Sequence, residues 1–141
     1  MRKRLPLILV LSVLAVGAGL LVSRLYQAPA DGPLVAVKVP RLSDHAARGE
    51  AAFETYCAAC HGNNAAGGAK GPPLVHDIYN PGHHSDASFI AAVRRGVRRH
   101  HWSFGDMPPQ PEVSDDELIA TIRYVRELQR ANGVFYRPHR M

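Results

Sequence analysis

The residues of this chain whose types and spacing most clearly indicate chemistry are the five from Cys57 to His61, Cys-Ala-Ala-Cys-His. Two thiols three residues apart, followed at once by an imidazole, form the C-x-x-C-H pattern through which haem is attached to a protein. On a helix, positions i, i+3 and i+4 lie on one face, so Cys57, Cys60 and His61 can all point at the same flat ring. We therefore expect one haem c, attached covalently through Cys57 and Cys60, with its iron on His61.

Three other kinds of site also use a C-x-x-C pair: a redox-active dithiol, half of a zinc site and a structural disulfide. A zinc site of this type needs a second ligand pair with matching spacing, and the chain has only two cysteines. The redox dithiol leaves His61 and a later methionine, Met107, without a role. Haem attachment accounts for all four residues.

The second axial ligand decides whether such a site carries electrons or leaves the iron open to small molecules. Met107 is the only methionine away from the chain ends, and two prolines follow it. Prolines fix φ and lack an N–H, so this loop is stiff and can hold a thioether in place. We expect Met107 on the iron rather than as a filler of the core. A bis-imidazole site stays open as the alternative; the candidate histidines, most of them expected at the surface, are His76, His83, His84, His100 and His101.

Helix signals predict a small all-α domain around these residues. Ser43 can cap the first helix, which delivers the C-x-x-C-H pattern at its end, and Ser114 with Glu117 forms a capping box for the last. Stretches rich in glycine and proline, 62–73 and 105–111, predict loops that can lie against the haem. The expected helices run from about Asp44 to Cys60, Ala87 to Val97 and Asp115 to Ala131.

The N-terminal part has the pattern of a membrane segment. Residues 5–23 carry no charge and as a helix would extend about 28 Å, close to the thickness of a bilayer core. Three basic residues precede this run and only Arg24 follows it, which predicts that the rest of the chain lies on the extracytoplasmic side. We favour an uncleaved anchor over residues 1–27. A signal peptide cleaved near the small residues 28–30 stays open.

Length and composition allow one domain with short additions. The chain has 141 residues, of which 46% are hydrophobic and 21% are charged, as in ordinary globular proteins. After the anchor we expect an extended linker over 28–42 with a short edge strand near 34–39, a domain over 43–133 and a basic tail over 134–141. Of the 17 basic residues, four flank the apolar run, and 13 remain against 12 acidic residues. This near balance gives no support for nucleic-acid binding.

The C-x-x-C-H string, the stretch Gly-Pro-Pro-Leu at 71–74, the pair Met107-Pro108 and the capped last helix together resemble the class I c-type cytochromes. The resemblance covers about residues 43–133. It implies a cytochrome c fold of three to five helices wrapped around one covalently attached haem, preceded here by one N-terminal transmembrane or signal helix.

In that family the axial histidine donates from its other ring nitrogen to a backbone carbonyl of a Gly-Pro loop, which by position would be Pro72. The first and last helices of the family cross at a glycine and an aromatic residue. Gly49, Phe53 and Tyr124 resemble these contacts.

The resemblance also implies an electron carrier rather than an enzyme, with protein redox partners and no small-molecule substrate, while the N-terminal apolar run predicts the membrane as a further contact. The alternative is a cytochrome subunit bound permanently to a larger dehydrogenase or terminal oxidase or reductase; a catalyst or gas sensor with Met107 displaced is a third possibility. The run from Arg94 to His101 is interpreted either as a solvated surface or as a docking patch and source of counter-charges for the haem propionates. Trp102 is expected to be a pocket wall or a propionate donor.

Overall fold

The computed structural model describes residues 13–19 and 34–138, and the chain divides into two units, Met1–Ala30 and Asp31–Met141. In the first unit, residues 13–19 are helical and exposed. The remainder of the expected anchor, the candidate cleavage site, residues 31–33 of the linker and the last three residues of the tail lie outside the described residues. No described helix combines the length and the apolar character needed to cross a bilayer.

The second unit is all-α, as predicted. Over residues 34–138 the structure contains four α-helices, two 3₁₀ turns and no extended strand, only one isolated pair of bridged residues. The helices are α1 (Asp44–Tyr56), α2 (Ala58–His61), α3 (Asp86–Arg95) and α4 (Asp115–Ala131), and the 3₁₀ turns are Asn63–Ala65 and Asp77–Tyr79.

Each of the three longer helices begins at a serine cap, and two of these caps, Ser43 and Ser114, are the predicted ones. The hydroxyl of Ser43 accepts a hydrogen bond from the backbone of Ala46, and Ser85 caps α3 in the same way. At α4, Ser114 accepts from the backbone N–H of Glu117 while the Glu117 carboxylate accepts from the backbone N–H of Ser114. These bonds satisfy amide groups that have no partner within the helix.

Two helices end earlier than the sequence predicts. The first helix was expected to continue to Cys60, but α1 ends at Tyr56 and the chain bends at Cys57 before α2 begins. The second was expected to include Val97, but α3 ends at Arg95 because Gly96 adopts a positive φ of 74°. The edge strand expected near 34–39 is also wrong: this segment is extended, but it pairs with the carbonyl of Ala66 and the side chain of Asn132 rather than with another strand.

Helices α1 and α4 cross in close contact and form the frame of the domain. At the crossing, a Cβ on Gly49 would overlap the backbone carbonyl of Ala120, so only glycine allows this approach. The rings of Phe53 and Tyr124 pack beside it with centroids 5.6 Å apart, and both side chains are fully buried. The crossing expected from the resemblance is therefore confirmed.

A buried polar network attaches the segment between the C-x-x-C-H pattern (the haem motif, 57–61) and α3 to the last helix. Arg126 donates hydrogen bonds to the backbone carbonyls of Tyr79 and His84, to the side chain of Gln129 and to the carboxylate of Asp86. Its guanidinium also lies 4.7 Å from the centre of the Phe89 ring. Because Arg126 and Gln129 are buried in α4, they hold this segment to a rigid element.

Both flanks of the predicted domain contact its body. Val37 and Leu42 pack against the core at the side of α1. After α4, Val134 is buried, and Arg137 pairs with Asp77. The described parts of the linker and the tail are thus in contact with the domain.

Candidate functional site

An apolar cavity of about 540 Å³ lies between the C-x-x-C-H segment, α3 and α4. Apolar side chains form much of its lining, and this volume is within the range of small-molecule and cofactor pockets. The cavity reaches Cys57, His61 and Met107, three of the four residues that the sequence assigns to the haem. Its apolar lining includes Phe53, Leu74, Phe89, Val93, Leu118, Ile122 and Val125.

His61 is held in one orientation by the backbone. Its Nδ1 lies 2.9 Å from the carbonyl oxygen of Pro72, and because a carbonyl can only accept, Nδ1 carries the proton. The other ring nitrogen, Nε2, then presents a lone pair to a metal. Burial lowers the pKa of His61, with the Pro72 bond acting in the opposite direction, so the neutral ligand form is favoured. This hydrogen bond is the one that the resemblance implied.

The two cysteines lie in different surroundings. Cys57 is half-buried at the cavity, and burial together with the nearby Cys60 raises the pKa of its thiol to about 11. Cys60 is exposed and borders a second, more polar pocket on the side of residues 62–70. The structure therefore brings Cys57, His61 and Met107 to one cavity, while the Cys60 side chain is exposed and does not line that cavity.

Met107 is fixed by a two-residue bridge that the sequence prediction missed. Its backbone N–H donates to Val97 and its carbonyl accepts from Val97, both at 2.9 Å. The close approach depends on Gly96, since a Cβ there would lie 2.5 Å from the Met107 carbonyl oxygen. The signal available in the sequence was the glycine that ends α3; the pairing partner ten residues later was not predictable from local pattern.

The five candidate histidines separate into two groups. His76 packs edge-on against Trp102 and accepts a hydrogen bond from the backbone of Ile78. The four histidines of the two doublets lie together at the rim of the cavity, where His100 and His101 are exposed, as expected, and the other two are partly buried; they are His83, His84, His100 and His101. Burial and the neighbouring imidazoles lower the pKa of His84 and of His101, and the bond from His84 to the backbone partly opposes this at His84.

Trp102 also lines the cavity, and its indole nitrogen is a buried donor. Among the described residues Nε1 has no hydrogen-bond partner. Burial raises the pKa of the nearby Tyr79, and the Trp102 indole partly offsets this, although the two groups do not reach hydrogen-bond geometry. A buried donor without a partner is costly, and an acceptor on a bound group would remove that cost.

The arginine-rich run divides between structure and surface. Arg94 bonds to the carbonyl of Val113 and to Asp115, so it joins α3 to the start of α4. Arg95, Arg98 and Arg99 are exposed, and Arg95 and Arg99 border the cavity. Part of the run, Arg94, therefore has a structural role, and the exposed arginines remain available as a docking patch for a partner.

These features fit a haem. The cavity is apolar, a neutral imidazole and a thioether both line it, a thiol of the attachment pattern lies at its edge, and the buried indole N–H of Trp102 lacks an acceptor that a bound group could supply. The residues that would hold it are Cys57, Cys60, His61 and Met107.

Comparison with known proteins gives one family. No curated protein and no solved structure matches the chain significantly. A sequence model described as cytochrome c matches residues 46–129, which is more than half of the chain and extends from the first turn of α1 almost to the end of α4. The match includes the haem motif, the His61 to Pro72 bond and Met107. With an all-helical fold and a cavity suited to a haem, this chain belongs to the cytochrome c family as a class I c-type cytochrome, a haem-based carrier of electrons.

Proposed function

We propose that this protein is a monohaem electron carrier that passes single electrons between redox proteins on the extracytoplasmic side of a membrane, with no substrate of its own. The observation that supports the proposal is that an imidazole and a thioether line one cavity and that the backbone fixes both residues: His61 by Pro72 and Met107 by Val97. An iron with both axial positions filled by protein is closed to small molecules and open only to electrons.

The assignment of Cys57, His61 and Met107 is supported by their places at the cavity, and that of Cys60 by its place in the C-x-x-C-H pattern. Cys57 and Cys60 would form the thioether bonds, with Cys60 turning inward from its exposed position. His61, through Nε2, and Met107, through its sulfur, would be the residues that bind the iron. When bound, the haem supplies a one-electron change at iron, and a thioether ligand raises the potential of that change.

The chain contributes rigidity to this reaction. The Pro72 carbonyl prevents rotation of the His61 ring, and the paired backbone of Met107 precedes two prolines that fix φ. The crossing of α1 and α4 holds the apolar wall of the cavity in place. Little rearrangement then accompanies the change in charge, which is what fast electron transfer requires.

Protein partners would dock at the rim, where Arg95, Arg98 and Arg99 are exposed. Because these charges have one sign and two of them border the cavity, they suit a partner with an acidic patch and would speed its approach. A small, weak interface allows the turnover that a carrier needs. Residues 1–27 would tether the domain to the membrane.

An optical spectrum of the oxidised protein tests the central assignment. We expect the weak long-wavelength band of sulfur bound to ferric haem in the wild type, its loss in Met107→His, and a midpoint potential lower by far more than a surface change produces. Met141→Ala, at the C-terminus, is the matched methionine control and should leave the band and the midpoint potential unchanged. An unchanged band and potential in Met107→His would remove Met107 from the iron.

Three further measurements test the alternatives and the covalent attachment. Rapid, tight binding of carbon monoxide by the reduced protein would contradict six-coordination and favour a sensor or catalyst. Gel filtration after mild detergent extraction from native membranes should give the protein alone; co-elution with larger chains would favour a permanent subunit of a complex. Haem that survives denaturing electrophoresis in Cys57→Ser/Cys60→Ser would contradict thioether attachment.

A further inference from the structure

The two histidine doublets, separate in sequence, converge at the rim of the haem cavity. His83 and His84 follow the 3₁₀ turn Asp77–Tyr79, and His100 and His101 follow the bridge residue Val97. One ring nitrogen from each of His83, His84 and His101 lies within 4.8 Å of the other two. Three imidazoles from two distant segments thus surround one point, and neither the fold nor the iron ligation described above requires it.

The distance between two of these nitrogens is compatible with a shared metal ion. His83 Nε2 and His101 Nε2 are 3.2 Å apart. Zinc binds imidazole nitrogen at about 2.0–2.1 Å, so two ligands of a tetrahedral site are separated by about 3.3 Å. In this structure the two Nε2 atoms are hydrogen-bonded to each other, and a bound metal would take the place of the shared proton.

Backbone carbonyls orient the rings as they do around metals. His84 donates from Nδ1 to the carbonyl of Ile78 at 2.7 Å, and His100 donates from Nδ1 to the carbonyl of Arg98 at 2.9 Å. In both rings this leaves Nε2 as the nitrogen with a lone pair, the arrangement that a protonated Nδ1 imposes on metal-binding histidine. The carbonyl of His84 itself accepts from the buried Arg126, so this ring sits on a rigid support.

The donor set indicates which metal would bind. Imidazole nitrogen suits zinc, copper and nickel, whereas magnesium and calcium require oxygen ligands. Three protein nitrogens leave a fourth position of a tetrahedral site for water or for His100, whose ring centre is 4.2 Å from that of His101. The exposed charges of Arg98 and Arg99 oppose a cation, but solvent screens them.

We propose that His83, His84 and His101 form a binding site for a late first-row divalent cation, with zinc as the simplest occupant, at the rim of the haem cavity. The site is separate from the iron and uses residues that the electron-carrier function leaves unassigned. Its ligands come from the segments before and after α3, so a bound metal would join these two segments.

Isothermal titration of Zn²⁺ into the haem-loaded protein, produced without a polyhistidine tag, tests this proposal. We expect one Zn²⁺ per chain, at least a tenfold loss of affinity in His83→Ala and in His101→Ala, and no measurable binding in the double variant. His45→Ala, an exposed histidine on α1, is the matched control and should bind as the wild type does. Mg²⁺ should give no binding heat.

The haem spectrum, recorded on the same samples, distinguishes this site from the iron. Binding of Zn²⁺ to the wild type and the replacement of His101 by alanine or by glutamine should both leave the axial-ligand bands in place. Binding that survives in the double variant, or equal losses in His45→Ala, would overturn the proposal. A changed axial band in His101→Gln would place this histidine on the iron and would overturn it as well.

Discussion

Replacing Arg126 by methionine should reduce the free energy of unfolding of the haem-loaded protein by about 3 kcal/mol. The Arg126 side chain is only 11% exposed and donates four hydrogen bonds, to Asp86, Gln129 and the carbonyls of Tyr79 and His84. The bond to Asp86 contributes little, since that carboxylate is 65% exposed. The Tyr79 carbonyl keeps a second donor, Gln129 Nε2 at 3.1 Å, so the loss centres on the His84 carbonyl and the Gln129 oxygen.

The magnitude follows from these two unsatisfied acceptors. Each buried acceptor left without its charged donor costs about 1–3 kcal/mol, and methionine recovers part of the packing of the arginine stem. For a domain of this size, 3 kcal/mol corresponds to a fall in Tm of about 15 °C. Circular dichroism during thermal and denaturant unfolding measures the change.

Arg130→Met is the matched control because Arg130 is exposed on the same helix. It should change the free energy of unfolding by less than about 0.5 kcal/mol. Similar values for the two variants would refute the conclusion that the Arg126 network holds the segment before α3. The network also supports His84, so Arg126→Met should weaken Zn²⁺ binding while Arg130→Met should not.

Three other substitutions test separate contacts. Gly49→Ala should destabilise the protein by about 2–3 kcal/mol despite the higher helix propensity of alanine, because a Cβ at this position would overlap the Ala120 carbonyl. The control is Gly68→Ala, where a Cβ would lie 3.7 Å from its nearest neighbour, and it should change stability by less than about 1 kcal/mol. Equal effects of the two substitutions in denaturant unfolding would contradict the close crossing of α1 and α4. Trp102→Phe should destabilise the haem-loaded protein by about 1 kcal/mol if a haem acceptor satisfies the indole N–H, whereas a gain in stability on thermal unfolding would mean that Nε1 stays without a partner. Glu127→Gln should reduce the free energy of unfolding by about 1 kcal/mol at pH 7. Partial burial favours a raised pKa of Glu127, but the hydrogen bonds from Ser43 and Arg123 outweigh it and hold the pKa below 4.5. The stabilisation is therefore present above pH 4.5 and disappears as the pH falls through the lower pKa of the folded state. The control Glu112→Gln, at an exposed glutamate, should show no such pH-dependent difference in unfolding experiments between pH 3 and 7.

The parts of this fold that sequence could predict are those that local chemistry determines. Ser43 and Ser114 cap helices because their hydroxyls satisfy amides two or three residues away, and Gly133 follows the last helix closely. The C-x-x-C-H pattern predicts a haem because two thiols and an imidazole at this spacing can all bind the same porphyrin ring. In each case the physical cause and the residues that report it lie within one or two helical turns.

The features that sequence prediction missed depend on contacts between distant segments. The pairing of Val97 with Met107 requires Gly96 to turn the chain, and the helical pattern had extended through that glycine. Gln129 lies four residues after Val125, on the apolar stripe of α4, so its spacing indicated burial. Because its side chain is polar, the residue type indicated the opposite, and its burial was not predicted. The histidine doublets were expected at the surface because each has polar neighbours in sequence, and only the tertiary fold brings them together.

The proposed metal site and the haem would be coupled through charge. His83, His84 and His101 line the same cavity as His61 and Met107, so a divalent cation there would favour ferrous over ferric iron, which has one more positive charge. Linkage makes this effect reciprocal, so reduction would tighten metal binding by the factor that corresponds to the rise in potential. The same cation would add to the exposed charges of the arginine rim and strengthen the attraction of an acidic partner. Salt separates the two effects: the faster docking depends on exposed charges and should vanish at high ionic strength, while the shift in potential acts across a low-dielectric cavity and should largely persist.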